Sequence, residues 1–538
     1  MKKTAIIRLI VILFTIHCSL ITSKAQTLTV TTSSGSTQVS ASEAGTMTYN
    51  SSAGTLTIGG TAYNVNDITK MVITEASSST VDGEATVNVV YNGSSATVTS
   101  SSDIASYVTV TQSGAHVSIV QSSSLATEIT YNLSGSSTDG EFYMEGSYKA
   151  TLVLNGLTLT NKTPVYSGAA IDIQNGKRIN IKLTEGTTST LADASNGSQK
   201  GCLYVKGHAE FKQKGTLNVV GNVKHAIKTG DYFTLKNATI NVTSAVGDGI
   251  NCNEYFLMES GTINISGTSD DGIQCDLDGD SSTGETTGHE DEDSGNIYIA
   301  GGTITVNCPS KDSEGIQCEG AINITDGHVT VNAYDDAINS GGDLTISGGY
   351  VFACATNNDG IDANGNCYIK GGIVYAVGSG APEVAIDANS EKQKKLYIMG
   401  GTLVAVGGLE SGASISGGTC MYTTSWTSGS WYALYNGSDL ALAFKTPASS
   451  SSGMSGGPGG GGFGGPGGHG GHGGPGSGGS SQQLVVYTSS TPSLQSGVTV
   501  SGGKEYFSGM ANVGGTVSGG STVTLSNYSG GNSGPGWH

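Results

Sequence analysis

With 538 residues, 84 of them Gly and only 12% charged, the chain is long enough for several ordinary domains yet almost without helical periodicity. Forty-three acidic residues against 24 basic ones leave a net charge of −19, a surface that repels nucleic acid and anionic lipid and argues against both as partners. The same surface would repel an acidic polysaccharide unless cations intervened.

The first residues place Lys2, Lys3 and Arg8 ahead of an apolar run from Leu9 to Phe14, then supply Ser23-Lys24-Ala25. This reads as a secretory signal over 1–25, cleaved after Ala25, with a hydrophobic core too short to span a bilayer. Cys18 as a lipid-anchored residue fits poorly, because His17 directly precedes it. The protein is therefore expected outside the cell or on its surface, with no transmembrane segment. Removing the signal takes away four basic residues and no acid, moving the net charge from −19 to −23. Eight Cys remain, which permits disulfides, but no CxxC pair is present, and this argues against a zinc site. Residues 26–104 are rich in Ser, Thr and Val without a repeat, and predict a small N-terminal β module.

From there a repeat takes over. "KHAIK", "GDGIN", "DDGIQ", "SEGIQ", "DDAIN", "NDGID" and "EVAID" align on Ile227, Ile250, Ile273, Ile316, Ile338, Ile361 and Ile386, with Ile171 and Leu203 as weaker members. The intervals are 22 to 25 residues except for one of 43, where an acidic insertion runs from Asp276 to Gly295. Each unit contains two further short runs, of the types "YFTLKN" and "ATINVTS". Three β runs per unit, punctuated by Gly, predict an all-β fold, a right-handed parallel β-helix over 105–447. Its rungs stack about 4.8 Å apart and share one interior. A propeller would need about 40 residues per blade. Residues 448–481 are a Gly-rich stretch too poor in side chains to fold alone, expected as a disordered loop between two paired strands. Strand-like patterning resumes over 482–538, completing or capping the β-helix. A monomer is expected.

In such a fold equivalent positions stack into columns. Two residues before each Ile come His225, Asp248, Asp271, Glu314, Asp336 and Asp359. Directly after it, pointing outward, come Lys228, Asn251, Gln274, Gln317, Asn339, Asp362 and Asp387. Two after it, pointing inward, come Cys252, Cys275, Cys318, Ser340, Ala363 and Ala388, read as buried thiols filling a tight corner, with a disulfide between rungs as the minority reading. Asp270, Asp312, Asp335 and Glu383 crowd the same turn. Carboxylates about 5 Å apart repel by roughly 1 kcal/mol in water and several-fold more near a protein surface, so protons or cations must neutralise them. Calcium suits carboxylate, amide and carbonyl oxygens in loops. Turn-making by Asp-Gly explains one such unit but not a register of five.

These "DGI" units, with "NGKRINIKL" and the stretch running from "EITYNLSG" to "DGEFYMEGSYKATLVLNGLTLTN", resemble the carbohydrate-binding β-helix family first described in cellulose-degrading clostridia. That family is in turn similar to family 9 polysaccharide (pectate) lyases. The resemblance spans roughly 105 to 445. It implies calcium on the rungs, binding of cellulose or an acidic glycan, and at most feeble lyase action. The lyases hold calcium with an Asp in one rung and an Asp-Asp-Gly-Phe-Asp run in the next. By that resemblance Asp336 is the first ligand, and Asn358, Asp359 and Asp362 supply the second set, with Asn in place of one carboxylate weakening the site. "DDGIQ" keeps Asp270 and Asp271 but carries Gln274 at the last position.

The sequence thus points to a secreted calcium-binding β-helix that binds polysaccharide, with metal ligands among Asp248, Asp270, Asp271, Glu314, Asp335, Asp336, Asn358, Asp359, Asp362, Glu383 and Asp387. Trp426 and Trp431 are candidates for stacking on a sugar ring, although such aromatics more often pack. The alternative is a weak calcium-dependent lyase using Lys228 or Lys311 as base. Lys228 is expected instead to cap the acidic column through a salt bridge with Asp248 and stay protonated, and Lys311 to sit solvated beside Asp312. A hydrolase using Asp359 and Asp362 as acid and base, and a non-catalytic surface adhesin, complete the possibilities.

Overall fold

The computed structural model describes residues 26–40, 47–58, 60–75, 79–279, 292–448 and 482–530; the segment expected to be a signal and the Gly-rich stretch lie outside them. The described chain is nearly all β, with 49 strands, three short 3-10 turns and a solenoid of about 11 turns. No helix among the described residues is long and apolar enough to cross a membrane.

Each turn contributes three strands. The Ile-centred strands form one parallel sheet in which Leu203, Ile227, Ile250, Ile273, Ile316, Ile338 and Ile361 pair in strict succession. Ile273 pairs directly with Ile316, so the 43-residue interval carries the chain from one rung to the next as the shorter intervals do. The other two runs stack likewise, Phe211, Leu235 and Met258 marking one column and Ile240, Ile263 and Ile304 the other. All these apolar positions are buried. Stacking in register puts like on like. Phe233 and Phe256 lie 5.1 Å apart with planes 1° apart, and Asn218, Asn241 and Asn264 form an amide ladder with 2.9 Å hydrogen bonds.

The period also explains the Gly before most of these Ile residues. A Cβ on Gly315 would come within 2.0 Å of Val331 Cγ1 and 2.5 Å of the Ala337 carbonyl. The next rung passes too closely for a side chain, so space rather than a left-handed φ dictates this glycine.

Parallel sheets end in open edges, which this chain covers with antiparallel strands. At the start, Val108–Ser113 covers His116–Gln121, and Ser95–Ser100 covers Thr86–Asn92. Thr86–Asn92 itself pairs in parallel with Ile129–Ser137, so the solenoid's sheet reaches back before residue 105. Residues 26–75 keep a separate small core around Leu28, Val30 and Ile58. At the far end, Leu484–Thr488 lies antiparallel between Thr402–Val406 and Thr419–Thr423.

The strands flanking the Gly-rich stretch do not pair with one another as expected. Asp439–Lys445 instead pairs with Trp431–Asn436 in a six-stranded antiparallel sheet. That sheet packs Tyr432, Leu434, Leu442 and Phe444 against Phe352, Tyr375, Val404 and Val406 on the solenoid's outer face. Those rungs read "YVFACAT", "IVYAVGS" and "TLVAVGG", apolar on both faces because both are covered.

Candidate metal-binding columns

The column before the Ile residues is buried, with Asp248, Asp271, Asp336 and Asp359 each at most 7% exposed. It has a structural duty that alternation alone did not reveal. Asp271 Oδ1 accepts the Glu314 N–H at 2.8 Å, Asp336 Oδ1 the Asp359 N–H at 2.9 Å, and Asp359 Oδ1 the Val384 N–H at 2.5 Å. Each carboxylate thus satisfies a backbone donor of the next rung with one oxygen, and the second oxygen of Asp336 also accepts from Asn339 Nδ2 at 3.2 Å.

Carboxylate oxygens converge in two groups along this face. Asp359, Asp362 and Asp387 each offer an oxygen within 4.8 Å of the others, and so do Asp248, Asp270 and Asp271. Their electrostatics differ. In the first group burial pushes Asp359 up to about 8, helped by Asp362, Glu383 and Glu410 and opposed by the Val384 N–H. Burial lifts Asp362 to about 6, and burial with a shared hydrogen bond to Glu410 lifts Asp387 to about 9. Asp336 below them is also pushed well up, by burial and then by Asp362 and Asp359. Among the described residues no Lys, Arg or His forms an ion pair with any of these acids. In the second group, burial works to raise Asp248, but His225, 3.0 Å away through Nδ1, wins and holds it below its usual value. Asn251 adds a 2.7 Å hydrogen bond. Asp271 is pushed up to about 10 by burial and Glu314 against the Glu314 N–H, and Asp270 is raised by burial and Asp248 against the pull of Lys224 and His225.

Other expected ligands fall on the margins. Asn358 hydrogen-bonds Asp335 rather than joining Asp359 and Asp362, Glu383 acts through its charge on Asp359, and Glu314 acts on Asp271 through its charge and a shared side-chain hydrogen bond. The upper group is therefore shifted one rung from the motif-based assignment, taking in Asp387 in place of Asp336 and Asn358. Glu410, which touches Asp387, was missed because no "DGI" unit marks its turn.

Lys228 does not make the expected salt bridge with Asp248. Its Nζ donates to Asn251 Oδ1 and, at 2.8 Å, to Asn253 Oδ1. Burial lowers its pKa against the pull of Cys252, Asp276 and Asp248, the reverse of the direction expected from pairing. Its column position puts it five rungs, about 24 Å, from Asp362. Lys311 is fully exposed and bonded to Asp312 at 2.9 Å, as expected. Trp426 is not free to stack on a sugar: it packs into the outer core and its Nε1 donates to the Gln482 carbonyl at 2.7 Å. Trp431 is half-buried opposite Lys445.

Two aromatic groups on the surface escaped the sequence reading. Tyr350 and Tyr506 stack at 4.2 Å with His328 beside them, and Tyr368 and Tyr397 stack at 5.0 Å on the adjacent face. His328 with Tyr350, and Tyr368 with Tyr397, are equivalent positions of neighbouring rungs, so extending the column alignment to those runs would have found them.

The eight cysteines among the described residues are free, and Cys252, Cys275 and Cys318 stand in register as buried thiols.

The fold and its face define a parallel β-solenoid that stacks carboxylates along one sheet. Residues 108–382, just over half of the chain, match the family described as carbohydrate-binding domain-containing protein, and the chain belongs to that family. A solved structure described as a polysaccharide lyase-like protein from C. thermocellum, a gadolinium derivative, is similar over 58% of this chain and 96% of its own. Its identity is 19% and the TM-score 0.34. No curated protein matches.

Proposed function

We propose that this is an exported protein that binds acidic polysaccharide through calcium held on its carboxylate column. The observation that carries the reading is the group Asp359, Asp362 and Asp387, three convergent carboxylates with no basic partner among the described residues. At an effective dielectric of about 20, two such charges about 5 Å apart repel by about 3 kcal/mol, a cost that one divalent cation removes. Oxygen-only donors on a loop-lined face suit calcium, which takes six to eight of them. Asp362 and Asp387 are only half-buried, so part of the ion's coordination shell would face solvent and accept uronate carboxylates or sugar hydroxyls. The family's description as carbohydrate-binding supports the same conclusion.

The lyase reading has one observation in its favour, the lowered pKa of Lys228. That amine is held by two asparagines far from the upper group. Binding without cleavage is the better reading.

The test is titration of polygalacturonate into the protein with calcium and with chelator. Binding is expected only with calcium, and equal affinity in chelator would refute the proposal.

A further inference from the structure

A third group of potential ligands lies at a different corner of the solenoid, where the Ile-centred sheet turns into the next column. His208, Asp231 and Glu254 follow one another at 23-residue spacing on three successive rungs. One ligand atom from each lies within 4.8 Å of the other two. We propose that this corner is a site for a transition-metal dication of the zinc class, separate from the calcium column and independent of it.

The donor set differs in kind from the carboxylate column, because imidazole nitrogen favours zinc and its neighbours over calcium. His208 Nε2 stands 2.9 Å from Asp231 Oδ2 and 3.9 Å from Glu254 Oε2. Ligands on one tetrahedral zinc, bound at about 2.0–2.2 Å, lie roughly 3.3 Å apart, midway between these two separations.

The second observation is what these side chains lack. His208 is 1% exposed and Glu254 2%, yet neither ring nitrogen of His208 nor Glu254 Oε2 has a hydrogen-bond partner among the described residues. Asp231 is close enough for an ion pair, but its oxygen lies off the direction in which Nε2 would donate, so no hydrogen bond forms. Two ligands sharing an ion meet in this way, each aimed at the metal rather than at the other.

Elsewhere the chain shows how it satisfies a buried carboxylate. Glu141, also 1% exposed, accepts the N–H groups of Val165, Tyr166, Ser167 and Gly168, together with Asn161 and His116. Glu254 has no such cradle at Oε2. An unpaired buried group of this kind is costly, and a cation on Oε2 and Nε2 relieves both at once. The Asp231 side chain is 20% exposed, giving the ion a path from solvent and leaving room for water as a fourth ligand. The absence of CxxC pairs could not bear on this site, since none of its ligands is Cys.

The experiment uses the purified protein, stripped of metal and equilibrated with excess calcium. Zinc should then bind at one equivalent, and cobalt in its place should give the visible bands of a four-coordinate ion. His208→Ala and Glu254→Gln should each lose that equivalent while keeping the calcium-induced rise in melting temperature, and Asp387→Asn should keep the zinc equivalent. Anomalous diffraction at the zinc edge from wild-type crystals should place the ion between His208, Asp231 and Glu254, a readout that does not depend on any variant folding. Failure to bind zinc in excess calcium, full binding in both corner variants, or an anomalous peak elsewhere would each overturn the proposal.

Discussion

Asp271 and Asp359 stand three rungs apart in one column, preceded by Asp270 and Asn358 and followed by the same Gly-Ile, and their surroundings diverge. Below Asp271, Asp248 is paired with His225 and hydrogen-bonded to Asn251, and Lys228 lies one rung down. Around Asp359 the charged groups are Asp336, Asp362, Glu383, Asp387 and Glu410, all acids, and Asn339 bonds Asp336 at 3.2 Å much as Asn251 bonds Asp248. The lower end of the column is partly neutralised from within, and the upper end has no basic ion-pair partner among the described residues. One repeat motif can thus set its carboxylates among basic groups or among further acids, and the choice lies in what the adjacent rungs contribute.

The largest consequence concerns calcium itself. At a thousandfold excess over its dissociation constant, one ion adds about 4 kcal/mol to stability. Chelation should therefore lower the melting temperature, a loss that differential scanning calorimetry would register. Asp387→Asn should abolish most of the calcium increment and Asp270→Asn little of it. Equal losses in the two variants would erase the distinction between the ends.

Acidity should substitute for calcium at the upper end. Asp359 and Asp387 have folded-state values near 8 and 9, far above those of the unfolded chain, so the native state binds more protons than the unfolded state across the intervening range. The stability contributed by protonation is complete below about pH 4 and is lost as pH rises through 8 to 9. Calcium-free protein should accordingly melt at a higher temperature at pH 5.5 than at pH 8.5, as followed by circular dichroism, and saturating calcium should flatten or reverse that slope. A melting temperature that rises with pH in chelator would contradict the electrostatic contrast.

Packing faults should ignore the contrast altogether. Gly315→Ala drives a Cβ into Val331 and the Ala337 carbonyl. It should cost about 1–3 kcal/mol by denaturant unfolding, the usual range for overpacking. The loss should be the same with calcium and without it.

The smallest expected effect is at Lys228. With its amine held by Asn251 and Asn253, wild type should produce no growing unsaturated-product absorbance from polygalacturonate, and Lys228→Ala should bind that polymer as wild type does. Calcium-dependent product formation that vanishes in Lys228→Ala would favour the lyase.

The period was legible because the fold repeats it. Ile227 through Ile361 align in sequence and pair in space, and the outward and inward alternation after each Ile follows from the pleat. The stacked thiols were legible for the same reason. Partner choice at the corners was not. Whether Asp248 faces Lys228 or His225 depends on side-chain direction in a turn, which no period encodes, and Asn251 and Asn253 took the amine instead. Glu410 lies in a turn without the motif, and the strands around the Gly-rich stretch went to different sheets because each found an open partner there. His208, Asp231 and Glu254 did obey the 23-residue interval, but on a corner that an alignment anchored on Ile does not inspect.

The upper acids are the proposed meeting place of calcium and glycan. The most direct test is the calcium dependence of polygalacturonate affinity in wild type and Asp387→Asn, measured by isothermal titration. Wild type should bind with an affinity that rises with calcium until the site saturates. Asp387→Asn should need at least tenfold more calcium to reach the same affinity, while its fold by circular dichroism is unchanged. Superimposable calcium curves for the two proteins would show that the glycan is held elsewhere.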